Sequence, residues 1–132
     1  MAQQLTLVRS RLGTADMLIT DATADLDGLW PRASAWMLRI AVEHAIEELW
    51  KSVSPRMVSV TRRAQLLVLP KYIGAQAAGE ARVLWAELSV VTHHHDYELN
   101  PTVQQLRRWQ ESSERVVAAI DAAVRAHTGT SR

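Results

Sequence analysis

The 132 residues are 48% hydrophobic and 22% charged. That is enough apolar material for one continuous core and argues against an intrinsically disordered chain. The absence of cysteine excludes a disulfide framework, a thiolate zinc site and a cysteine nucleophile, and makes a reducing cytoplasm the expected compartment. A formal net charge of +1 gives no global pull toward nucleic acid or anionic lipid, and no apolar run approaches the roughly 18 residues of a membrane span, so no membrane partner is expected.

Leu5, Val8, Leu12, Ala15, Ile19, Ala22 and Leu26 recur three and four apart, which predicts a first helix with one buried stripe. Asp27, Gly28 and Leu29 interrupt it. Trp30-Pro31 opens a second helix, because proline suits the first helical turn. Its apolar positions are read as Trp36, Met37, Ile40, Ala41, Ala45 and Leu49, and it runs to about residue 52, before Ser54-Pro55. Residues 58–69 read as a third, untidy helix that Pro70 ends or kinks. Ala81, Leu84, Trp85, Leu88 and Val91 place a fourth helix over 77–92. Asn100-Pro101-Thr102 predicts an N-cap followed by proline, opening a last helix with Val103, Leu106, Val117, Ile120 and Val124 inward and residues 128–132 frayed. Short connections between long helices predict a single all-α domain over 1–132, an antiparallel bundle of four to five helices.

The densest polar cluster follows the fourth helix: His93, His94, His95, Asp96 and Tyr97. Adjacent helical residues point about 100° apart, so three consecutive histidines do not converge on one ion, and no metal or other cofactor is expected. Histidines at a helix C-terminus also interact favourably with its dipole when protonated, a purely structural role. His44/Glu48 and Glu43/Glu47 lie one turn apart; such pairs serve as acid/base groups or are simply hydrogen-bonded together. Arg107, Arg108 and Arg115 on the last helix could touch phosphate or be solvated. Of the five tryptophans, Trp36, Trp85 and Trp109 sit near apolar positions and are read as core.

The stretch His95-Asp96-Tyr97-Glu98-Leu99-Asn100-Pro101, between two helices, resembles the signature of HEPN domains. Residues 41–49, Ala41-Val42-Glu43-His44-Ala45-Ile46-Glu47-Glu48-Leu49, are similar to the helix that crosses the core in that family. In HEPN domains the signature is an arginine, four to six residues, then a histidine; in one toxin subgroup a tyrosine follows one residue on. His95 and Tyr97 match the last two positions, whereas Val90, Ser89 and Leu88 stand where the arginine belongs, and the nearest preceding arginine is Arg82. The resemblance implies a HEPN-like helical bundle that pairs as a homodimer. It implies a metal-independent endoribonuclease, or a catalytically impaired RNA-binding relative, of a toxin–antitoxin or defence system. Catalytic roles then fall to His95, Tyr97 and His94, RNA contacts to His93, Arg82, Arg107 and Arg108, and the partners are RNA and an antitoxin or defence-system protein. Such chemistry needs histidine to move protons while the RNA 2′-OH attacks the phosphate, and a guanidinium to stabilise the charge that builds there. Two other readings stay open: a non-catalytic helical protein–protein interaction module, and a small-ligand or metal-binding bundle.

Overall fold

The computed structural model describes residues 2–21, 30–93 and 101–130. Four long helices carry the fold: α1 (Ala2–Asp21), α2 (Trp30–Val53), α5 (Ala75–His93) and α6 (Val103–Thr130). Between α2 and α5 lie a 3₁₀ turn (Pro55–Ser59) and two short helices, α3 (Arg62–Val68) and α4 (Pro70–Ile73). No strand occurs among the described residues, and no helix among them is long and apolar enough to cross a membrane.

Cross-helix bonds fix the directions. Arg9 meets Asp121 at 2.6 Å and Arg107 meets Asp16 at 2.7 Å, so α1 and α6 run antiparallel. Glu43 meets Trp85 while Arg39 meets Thr92, so α2 and α5 are antiparallel, as are α5 and α6 through Glu80–Arg115 and Glu87–Trp109. The bundle is therefore up-down-up-down. One of its two parallel pairs, α2 and α6, packs together and on both α1 and α5, which leaves α1 and α5 at the outer corners.

The core follows the helical period, with one rotation that differs from expectation. On α1 the stripe Val8, Leu12, Ala15 and Ile19 is buried as read, while Ala22 and Leu26 lie outside the described residues. On α2 the buried stripe is Leu38, Ala41, Val42, Ala45, Ile46, Leu49 and Trp50. Trp36, expected inside, is 50% exposed, because a helix rotated to bury Leu38, Val42 and Trp50 turns position 36 outward. Trp50 instead fills the core, edge-on to Tyr72 with ring centroids 5.3 Å apart. Val103 is also exposed, since the inward face of α6 begins at Leu106.

The expected third helix is broken in two places. Residues 55–59 form the 3₁₀ turn, and α3 starts only at Arg62, with the Thr61 hydroxyl accepting from the Ala64 N–H. The buried Gln65 amide donates to the Met57 and Val60 carbonyls at 2.6 and 3.1 Å, adding to the bond that the Met57 carbonyl accepts from the Val60 N–H and giving the Val60 carbonyl a partner. Pro70 ends α3 and starts α4, where its missing N–H costs nothing. Gly74 then turns the chain into α5 at φ +87°, a conformation that side-chain-bearing residues resist.

The opening of α6 differs in detail from expectation as well. The cap is Thr102, not Asn100, which lies outside the described residues. The Gln105 N–H donates to the Thr102 hydroxyl while the Thr102 N–H donates to the Gln105 side chain, a reciprocal capping box. At the other end α6 stays helical to Thr130, and the Thr128 hydroxyl donates to the Val124 and Arg125 carbonyls.

Candidate functional site

His94, His95 and Tyr97 lie outside the described residues, and His93 closes α5. What surrounds the end of α5 is therefore the informative geometry. The core register of α2 leaves Arg39 and Glu43 on the flank that faces α5, one turn apart. Glu43 Oε1 accepts from the Trp85 indole at 3.0 Å and from Arg39 Nε at 3.2 Å. Arg39 donates through a terminal nitrogen to the Thr92 hydroxyl at 2.6 Å, and that hydroxyl donates to the Leu88 carbonyl at 2.9 Å. A continuous chain of bonds thus runs from Trp85 through Glu43 and Arg39 to Thr92, the residue immediately before the histidine run.

The Arg39 side chain is only 16% exposed. A guanidinium held by a carboxylate on one edge and a hydroxyl on another has little rotational freedom left, so its fork is set in place before any ligand arrives. Its carbon lies 5.8 Å from the centre of the Trp36 ring, which is half exposed and belongs to the turn of α2 that precedes Arg39. With α2 antiparallel to α5, that turn stands level with the C-terminal end of α5. A flat aromatic face beside a fixed cation is the pair of groups that holds an unstacked base and its phosphate.

A second polar string ties α1 to α2. Arg11 donates to His44 Nδ1 at 2.9 Å, which requires that nitrogen to be unprotonated and puts the ring hydrogen on Nε2. Nε2 points toward Glu48 at 3.6 Å, too long for a hydrogen bond, and the buried Glu48 carboxylate is held by Lys51 at 3.2 Å. His44 is accordingly engaged between two helices, and its bond from Arg11 fastens α1 to α2.

The arginines read from the sequence separate in space. Arg82 is exposed on α5 with no hydrogen-bond or ion-pair partner among the described residues. Arg107 faces α1, where it binds Asp16, so it is turned away from α5. Arg108 lines an open groove of about 830 Å³ between α5 and α6, together with Val90, Val83, Glu87 and Trp109. Val90 is 47% exposed on that groove. On its far wall Arg115 hydrogen-bonds Glu80 and holds that carboxyl below the usual carboxylate range, against a smaller upward push from burial. Trp109, read as core, is buried, and its indole donates to Glu87 at 2.7 Å.

Arg39 is the residue that reading the sequence missed. It sits 53 positions from Thr92 and carries no motif of its own. Its one local signal is the Arg39/Glu43 spacing of four on a helix whose core stripe runs through Leu38 and Val42. Among the described residues no group of three or more histidine, aspartate or glutamate side chains stands together as a metal site would require. The chain matches no protein-family model, no curated protein and no solved structure.

Proposed function

We propose that this is a HEPN-like domain that acts on RNA at the C-terminal end of α5. In this reading Arg39 from α2 takes the part of the arginine absent from positions 88–90. The observation that carries it is the Arg39–Thr92 bond, which fixes a guanidinium one residue from His93-His94-His95. The chemistry would run without metal. His95 accepts the 2′-OH proton as that oxygen attacks the neighbouring phosphorus, and the 5′-oxygen leaves with a proton from a second acid, for which His94 and Tyr97 are the candidates. Arg39 offsets the charge on the non-bridging oxygens. Trp36 stacks on a neighbouring base. The setting would be a toxin–antitoxin or defence system in the cytoplasm.

The test is incubation of structured RNA with the purified protein in EDTA. Cleavage that persists in the wild type, vanishes in His95→Ala and falls about 100-fold in Arg39→Gln supports the reading. Thermal melts of both variants separate a lost site from a lost fold. Cleavage that requires added metal ion, or that survives His95→Ala, overturns it. Binding without cleavage, weakened by Trp36→Ala and by salt, identifies a catalytically impaired RNA-binding form. Neither cleavage nor binding at low salt leaves the second reading, a non-catalytic interaction module, which the exposed valines of α5 favour on their own account.

A further inference from the structure

The segment that joins α2 to α5 is cationic. Between Glu48 and Glu80 there is no aspartate or glutamate, whereas Lys51, Arg56, Arg62, Arg63 and Lys71 all fall in that stretch. The overall balance of 15 basic against 14 acidic residues therefore hides a local excess of positive charge. Lys51 is held by Glu47 and Glu48 at the end of α2. The other four make no ion pair among the described residues: Arg62 donates to the Gln65 side-chain oxygen, Lys71 lies over the Tyr72 ring, and Arg56 and Arg63 stand exposed.

The same segment holds apolar side chains out to solvent. Val58, Val60, Leu67 and Val68 are all exposed, and Leu67, at 69%, is the most exposed large hydrophobic side chain among the described residues. The placement follows from α3. Gln65, Leu66 and Leu69 turn inward, so the opposite arc carries Leu67 at its centre with Arg63 one turn before it. Leu69 keeps helical angles, φ −53° and ψ −37°, between α3 and α4, which brings Lys71 onto the same side one turn after Leu67. Two cations thus straddle the leucine. The bonds from Gln65 to the Met57 and Val60 carbonyls hold the 3₁₀ turn, with its two exposed valines, beside α3.

Aliphatic side chains set outward among unpaired cations fit one kind of surface best. Nucleic-acid bases stack on aromatic rings or guanidinium planes, and a branched aliphatic chain gives them no such face. The boundary of an anionic bilayer supplies both complements: acidic headgroups for the guanidinium and ammonium groups, and acyl chain just beneath them for leucine and valine. A site that lies on the surface needs neither a spanning helix nor a high total charge. We infer that the segment from Pro55 to Ile73 docks on an anionic lipid surface, with Arg56, Arg63 and Lys71 at the headgroups and Leu67 dipping below them. The 19 residues of α5 lead away from this segment for about 28 Å, so docking leaves the histidine end of α5 at the far end of the bundle. The inference is independent of any nuclease activity there.

The whole chain is tested by flotation with vesicles of phosphatidylcholine alone, and with vesicles in which about one lipid in four is phosphatidylserine. Binding is expected only to the second, and it should weaken as salt rises. Arg63→Gln and Lys71→Gln should each weaken it about five-fold, and Leu67→Gln about ten-fold or more. All three side chains are exposed, so unchanged melting temperatures are expected and separate a lost site from a lost fold. Because the chain contains no cysteine, a polarity-sensitive dye can be attached to Leu67→Cys alone. Its emission should shift to the blue on anionic vesicles, while the same dye on Val83→Cys, exposed on α5, should not respond. No binding to anionic vesicles at low salt overturns the inference. So does binding that Leu67→Gln retains in full, which is charge attraction without insertion, or an equal dye response at the two positions. RNA binding that Arg63→Gln and Lys71→Gln weaken, in a protein that ignores vesicles, overturns it in favour of nucleic acid.

Discussion

The two sides of α5 solve the same problem in opposite ways. Toward α2, the polar groups Trp85, Glu43, Arg39 and Thr92 are bonded to one another in a partly buried chain, and the interface is closed. Toward α6, Trp109 and Glu87 make one bond and Arg115 and Glu80 make another, while the valines between them stay half exposed above an open groove. Polar groups bonded to one another within the chain close the first side, whereas the second keeps apolar side chains exposed beside charged ones.

Breaking what the two sides share should cost most. Leu88 is fully buried on the inward face of α5, and Leu88→Ala is expected to lower stability by about 2–5 kcal/mol, measured by chemical denaturation. Glu43→Ala comes next, because it removes the acceptor of the Trp85 indole and the partner of Arg39 together. A loss of about 1–3 kcal/mol is expected. A double-mutant cycle with Trp85→Phe would show coupling if the chain of bonds acts as a unit; strict additivity would dissolve it into independent contacts.

Smaller effects sharpen the contrast on the α6 side. Gly79→Ala should stabilise the monomer by about 0.5–1 kcal/mol, since the helix gains propensity and the added methyl meets open space. A destabilised monomer would mean that this face is tighter than the geometry indicates. The smallest effect concerns pH. The Glu80 carboxyl is lowered in the folded state, chiefly by its hydrogen bond from Arg115, from an ordinary value of 4.5. Its contribution to stability is complete above that value and is lost as pH falls through the lower folded value. Glu80→Gln should therefore flatten the acid limb of a stability profile below about pH 4.5 and change little at neutral pH, the pair being solvent-exposed and weak.

The sequence by itself determined the class and, to within two residues, the bounds of α2 and α5. The three-and-four spacing of Val8, Leu12, Ala15 and Ile19, the proline after Trp30, and the proline at 70 are local signals, because helix period and proline geometry depend only on near neighbours. Tertiary structure decided what local pattern leaves open. The rotation of α2 that buries Trp50 and exposes Trp36 depends on how four helices interdigitate, and several stripes on that helix satisfied the period equally well. The meeting of Arg39 with Thr92 likewise depends on the antiparallel register of two helices separated by a 3₁₀ turn and two short helices. A residue on the flank of an amphipathic helix acquires its partner only when the neighbouring helix is in place.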